Sequence, residues 1–198
     1  MPSDLLTALL ATRELEKHPG SAVVYDLRSS RAVPEAIRQA GGVPVRERVG
    51  HAFMKEAMKK HSAIMGGELS GHYYFREHYN ADSGLLAFAK VLNVVGSQPN
   101  PFADLLKPYR KYHSTGEVNF HVEDKTAAME SLAAAFKDGK QDRLDGITVE
   151  FDDWWFNVRP SNTEPLLRLN IEAATAPMLE ERKAQVFDLL AKAGAKQE

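Results

Sequence analysis

SAVVYDLRSSRAVPEAIRQAGGVPVRERVGHAFMKEAMKKHSAIMGGE, Ser21 to Glu68, decides the reading of the fold. SAVVYDL (Ser21 to Leu27) is a short β-rich apolar run and reads as a buried strand. Pro34 to Ala40 makes a helix that Gly41-Gly42 closes. VPVRERV (Val43 to Val49) is a second strand and His51 to His61 a second helix. SAIMGGE (Ser62 to Glu68) is a third strand running into a glycine turn. Strands alternating with helices predict an α/β layer with a largely parallel sheet.

Working outward, Leu5, Leu6, Leu9, Leu10 and Leu15 recur near helical spacing behind a capping candidate at Ser3, and His18-Pro19-Gly20 ends that helix. HYYF (His72 to Phe75) is strand-like. Ser83 to Val95 is a strong helix with Ser83 as its cap. GSQPNPF (Gly96 to Phe102) is rich in turn formers, so the domains are expected at 1–100 and 101–198, with a hinge near 96–115. The second domain reads as strand (Ser114 to His121), helix (Asp124 to Phe136), two strands (Asp145 to Phe151, Trp154 to Val158) joined at Asp152-Asp153, a further strand (Leu166 to Ala173) and a last helix from Pro177 to Ala193. This is α+β with an antiparallel sheet. Trp154, Trp155 and Phe156 read as core, because no basic residues interleave with them as in a base-stacking platform.

The 198 residues are 43% hydrophobic and 26% charged, enough to bury a core, and the formal net charge is −2. That balance argues against a broad nucleic-acid-binding face. With no cysteine, disulfides and thiolate sites are excluded. The opening residues lack a secretory pattern, and no apolar run reaches the roughly 20 residues a bilayer needs, so a soluble cytoplasmic protein without membrane contact is expected.

Two loops carry chemistry. In NVRPSNTEPLLRLNIEA (Asn157 to Ala173), Arg159, Ser161, Asn162 and Thr163 sit in a turn between two strands. A guanidinium fork, two hydroxyls, an amide and backbone N–H groups can converge there on tetrahedral oxygens; ordinary turn chemistry beside a surface arginine uses the same residues. In MGGELSGHYYF (Met65 to Phe75), glycines 66, 67 and 71 allow tight turning around Glu68, Ser70 and His72. The carboxylate and hydroxyl suit neighbouring sugar hydroxyls and His72 suits proton transfer near neutral pH; alternatively Glu68 is simply solvated and His72 partly buried. His51 follows Gly50 at a strand-to-helix junction that favours anions. Histidines 72 and 78, six apart, fit no familiar zinc spacing, so no metal ligand is expected. Asp82, Asp152 and Asp153 read as cap and turn residues.

These residues resemble the α-D-phosphohexomutases. MGGELSGHYYF resembles the family's sugar-specificity loop, GE-x-S-G-H, and RPSNTEP its phosphate-binding loop, R-x-S-N-T-x-P; the likeness runs from about Ser21 to Gly194. DWWFNVRPSNTEPLLRLNIEA is most similar to bacterial phosphomannomutases. The resemblance implies the third and fourth of four domains: an α/β mixed-sheet domain that binds sugar, then an α+β antiparallel, TBP-like domain that binds phosphate. It implies interconversion of hexose 1- and 6-phosphates through a bisphosphate, on mannose or glucose phosphate. Arg159, Ser161, Asn162 and Thr163 are then the phosphate clamp, Glu68, Ser70 and His51 bind the sugar, and His72 is the candidate for proton transfer. The family's TASHNP-like phosphoserine loop and DGDGDR-like Mg2+ loop do not occur in this sequence. The magnesium ligands are therefore expected in other domains of the same enzyme, the partners of this chain, which alone is expected to be inactive. The alternative is a non-catalytic sugar-phosphate-binding protein.

Overall fold

A computed structural model describes residues 2–161, 164 and 166–198. The chain divides into two units, one ending at Lys111 and the other running from Tyr112 to Glu198. In the first, Ala22–Asp26 (β1), Val43–Glu47 (β2) and Met65–Gly67 (β3) pair in parallel, with β1 central. Tyr73–Phe75 (β4) and Ala81–Asp82 (β5) then add antiparallel strands, making a mixed sheet of order β2-β1-β3-β4-β5. Helices Ser3–Lys17 (α1), Ala32–Gln39 (α2) and His51–Lys60 (α3) pack on it. Val23, Val24, Ile37, Met54, Met58 and Met65 are fully buried among them. That burial explains why β1 reads as a continuous apolar run rather than as an alternating one.

Ser3 does not cap α1. It is the first helical residue, and no side chain caps the helix at Pro2. Asp4 instead accepts from the N–H of Leu5 (2.9 Å) and of Ser30 (3.0 Å), tying α1 to the segment after β1. Burial pushes the Asp4 carboxyl above its usual value despite those bonds. Ser83 does cap its helix, Gly84–Gly96 (α4), accepting from Leu86 N–H at 3.1 Å.

The division falls between Lys111 and Tyr112, later than the expected boundary after residue 100. The turn-rich stretch is a link within the first unit. Phe102–Leu106 (α5) follows it and returns to α1, burying Leu106. Tyr109 Oη donates to Thr12 Oγ1 (3.2 Å) and Lys111 Nζ to Glu35 Oε2 (2.8 Å).

In the second unit His113–His121 (β6), Lys140–Asp142 (β7), Ile147–Glu150 (β8), Trp154–Pro160 (β9), Leu166–Ala173 (β10) and Lys196–Gln197 (β11) form an antiparallel sheet, order β11-β6-β10-β9-β8-β7. Lys125–Ala135 (α6) and Ala176–Lys192 (α7) join one face in a core containing Trp154, Phe156, Val158, Leu167, Leu169 and Ile171. By the period-two alternation of a strand, Trp155, Asn157 and Arg159 point to the opposite face. Among the described residues no helix is long and apolar enough to cross a membrane.

Candidate functional site

Parallel pairing brings the C-terminal ends of β1, β2 and β3 to one edge, with Asp26 level with Glu47 and Tyr25 with Gly67. Open α/β sheets bind ligands at this edge, because the loops leaving the strands gather there. Asp26, wholly buried, organises it. Its Oδ2 accepts from Arg28 Nη2 (2.6 Å) and from Leu69 N–H (2.9 Å), and its Oδ1 from Arg28 N–H (2.9 Å), so one carboxylate fixes the loop after β3.

Glu68 opens that loop and is only 2% exposed. Its Oε2 accepts from Tyr74 Oη (2.6 Å) and its Oε1 from Gly50 N–H (3.1 Å). Burial, reinforced by the hydrogen bond to Glu68, pushes the Tyr74 phenol far above its usual value, so it remains a donor. The picture of Glu68 as a solvated loop carboxylate is therefore corrected: partners from β4 and from the start of α3 enclose it. Gly50 reaches it with φ +134°, a conformation that disfavours a side chain. The glycines of β3 serve packing rather than turning. A Cβ on Gly67 would lie 2.2 Å from Thr7 Oγ1, so α1 sits directly on the strand.

His51, the first residue of α3, and His72, just before β4, stand edge to face with ring centroids 4.3 Å apart. Both face Asp82 at the end of β5. His72 Nδ1 is 3.3 Å from Oδ2, and His51 Nδ1 is 3.5 Å from Oδ1. Partial burial alone would raise the Asp82 carboxyl; the His72 hydrogen bond, its own backbone amide and the two imidazoles hold it below the usual carboxylate range. Ser70 lies exposed in the Glu68 loop. Glu68, Ser70, His51 and His72 thus share one edge of the first unit. Asp82 joins them, although its sequence reading was as a cap or turn residue. Asp26 and Tyr74 were not singled out either; their signals were an acid at a strand end and a tyrosine alternating out of a strand, both too common to be selective.

In the second unit Arg159, near the end of β9, is 2% exposed and donates from Nη2 to Glu117 Oε2 at 2.8 Å; its Nε is buried with no hydrogen-bond partner among the described residues. Glu117 also approaches Arg168 Nη1 at 3.4 Å, and Arg168 Nη2 donates to Glu164 Oε2 at 2.7 Å. Ser161 Oγ accepts from Glu164 N–H (3.3 Å), and Ser161 N–H donates to Leu166 O (2.8 Å), closing the turn between β9 and β10. The guanidinium is therefore a braced, buried group, not a surface arginine. Asn162 and Thr163 lie outside the described residues.

A mixed α/β unit with polar loops at the carboxyl edge of its parallel strands, followed by an antiparallel α+β unit with a braced arginine turn, defines a two-domain α/β, α+β protein. Residues 2–112 match the model of phosphoglucomutase/phosphomannomutase, alpha/beta/alpha domain III, and residues 117–189 that of the phosphoglucomutase/phosphomannomutase C-terminal domain. The chain belongs to the phosphoglucomutase/phosphomannomutase family, as its third and fourth domains. It is 42% identical over 192 residues to a phosphomannomutase of Methanocaldococcus jannaschii, covering 97% of this chain and 43% of that protein. It is likewise 42% identical over 189 residues to a protein of Xanthomonas campestris pv. campestris named for phosphohexose mutases, covering 93% and 42%. A crystal structure of a family member from Burkholderia thailandensis superimposes with a TM-score of 0.87 at 29% identity, over all of this chain and 43% of that one. The chain spans less than half the length of these relatives.

Proposed function

We propose that this chain is the substrate-gripping half of a phosphohexomutase that interconverts hexose 1-phosphate and hexose 6-phosphate through a bisphosphate. The observation that carries this reading is the gathering of Glu68, Ser70, His51 and His72 at the carboxyl edge of β1–β3 in a chain of this family. Glu68 is a fixed acceptor. One lone pair on each oxygen is engaged by Gly50 and Tyr74, and the remaining ones are assigned to sugar hydroxyls, which the loop must shift to admit because the carboxylate is buried. Ser70 adds an adaptable hydroxyl. His72, with Nδ1 toward Asp82, is left to take or give a proton at Nε2, and Asp82 orients its ring.

Arg159 and Ser161, with Asn162 and Thr163, are assigned to the phosphate that is not reacting. Among the described residues one of the five Arg159 guanidinium N–H groups donates to Glu117; the guanidinium is buried, so the turn must open for the others to meet phosphate oxygens. Magnesium, which the resemblance places in the full-length enzyme, supplies neutralisation of the transferred phosphoryl group. This chain does not fit it: among the described residues the one group able to hold a metal has two imidazoles and one carboxylate, and magnesium prefers an all-oxygen shell. The chain alone is therefore expected to bind hexose phosphate without turning it over.

The test is a mutase assay on mannose 1-phosphate and glucose 1-phosphate. The chain is assayed alone and with a separately prepared N-terminal half carrying phosphoserine and magnesium. Turnover only in the assembled pair, with KM raised by Arg159→Lys, supports the reading. An assembled, phosphorylated pair without turnover refutes it.

A further inference from the structure

We infer that His51, His72 and Asp82 form a binding site for a transition-metal dication of the zinc type. Among the described residues these are the only three metal-ligating side chains whose donor atoms lie within 4.8 Å of one another. His72 Nδ1 lies 3.3 Å from Asp82 Oδ2 and His51 Nδ1 3.5 Å from Asp82 Oδ1, so both imidazoles turn a ring nitrogen toward the same carboxylate. Separations of this size also suit a coordination shell. Ligand atoms about 2.0–2.2 Å from a tetrahedral zinc stand about 3.3–3.5 Å apart. The donor atoms lie within 4.8 Å of one another, so the longest separation contracts by up to about 1.3–1.5 Å for closure. His51, His72 and Asp82, with side chains 46%, 43% and 33% exposed, have room to make that adjustment.

The donor set selects the metal. Two imidazoles and one carboxylate suit zinc and its first-row neighbours, while magnesium prefers oxygen ligands and keeps its waters. Three protein ligands leave a coordination position for water, as in open zinc sites. The ligands come from the start of α3, the residue before β4 and the end of β5. Only the folded first unit therefore brings them together, which explains why no sequence spacing announces the site. Bound zinc would also lock the His72 ring and put a dication beside Glu68, so zinc would compete with hexose phosphate. That consequence rests on the function proposed above; the metal site does not.

Zinc chloride titrated calorimetrically into the 198-residue chain tests the site, with Asp82→Asn and His51→Gln variants in parallel. Histidines 18, 61, 78, 113 and 121 supply a background common to all three proteins. The wild type is expected to bind one zinc equivalent more than either variant, or to bind it about 10–100-fold more tightly, the loss seen even for indirect ligand partners. Magnesium chloride is expected to give no such difference. Identical zinc isotherms for wild type and variants of unchanged melting temperature, or equal binding of magnesium, would overturn the inference. If a variant fails to fold, cobalt(II) added to the wild type decides: a visible spectrum unchanged from aqueous cobalt refutes the site. Mannose 6-phosphate titrated with and without zinc then addresses competition separately. Zinc uptake without any effect on sugar-phosphate binding would leave the metal site standing and count against the sugar-binding reading.

Discussion

Asp26 shows how one residue sets the geometry of the site. Its carboxylate is withdrawn from water and repaid by Arg28 and the Leu69 amide. The pair does not need to stabilise the protein strongly in net terms, because desolvation offsets most of the attraction. Removing one partner is another matter, since the guanidinium loses its two bonds to Asp26 Oδ2 and the Leu69 amide loses its acceptor. Asp26→Ala is expected to cost about 3–5 kcal/mol, read as a lower urea midpoint for the first unit; a loss under about 1 kcal/mol would show that water replaces the carboxylate. At this scale the sequence was legible only where chemistry is local. Glu68, Ser70 and His72 lie in one glycine-bracketed loop and could be read together. Whether Glu68 is solvated depends on Gly50, 18 positions earlier, and on Tyr74 across the hairpin, and no local pattern carries that information.

Among the elements, α4 buries Ala87 and Val94 and is joined to α1 and to the turn after β4 through the cation of Lys90. Lys90 Nζ lies 3.0 Å from Glu14 of α1 and 2.6 Å from Glu77 in the short turn after β4. Burial works against the Lys90 charge, but Glu77 and Glu14 outweigh it and raise the ammonium above its ordinary value of 10.5. The Lys90 hydrogen bond in turn lowers Glu77 below 4.5. A cation with a raised folded value contributes its full stability below pH 10.5 and loses it as pH climbs through that raised value; the lowered carboxyl contributes above pH 4.5 and loses its share as pH falls through its own. Lys90→Met is thus expected to cost about 1.5–3 kcal/mol near pH 7. In urea melts the gap from wild type should narrow toward both extremes, and a gap independent of pH would reject the ion-pair account. The α/β alternation, the Ser83 cap and the β8–β9 hairpin were readable because each has a local cause: apolar period, a side-chain acceptor, a turn. By contrast β5 and β11, two residues each, exist only because a neighbouring strand supplies hydrogen bonds. The His51–His72–Asp82 convergence is likewise a product of three separate elements arriving at one sheet edge.

For the whole molecule, the division at Lys111 and Tyr112 makes a claim about which pieces stand alone. The turn-rich stretch near residue 100 looks like a boundary because proline and glycine end α4, yet chain breaks and domain breaks have different causes. A domain ends where buried contacts stop crossing the cut, and α5 still buries Leu106 against the first unit while Tyr109 bonds to Thr12. A chain ending at Asn100 therefore loses that burial, a side chain worth about 1.5–3 kcal/mol, together with the hydrogen bond. A chain ending at Lys111 keeps both. We expect the longer piece to melt at the higher temperature, and residues 112–198 to fold separately around Trp154, Phe156 and Leu169, with one cooperative transition of their own. Equal melting temperatures for the two N-terminal pieces would place the break back at the turn, and a non-cooperative 112–198 piece would mean that the second core is completed by the first unit.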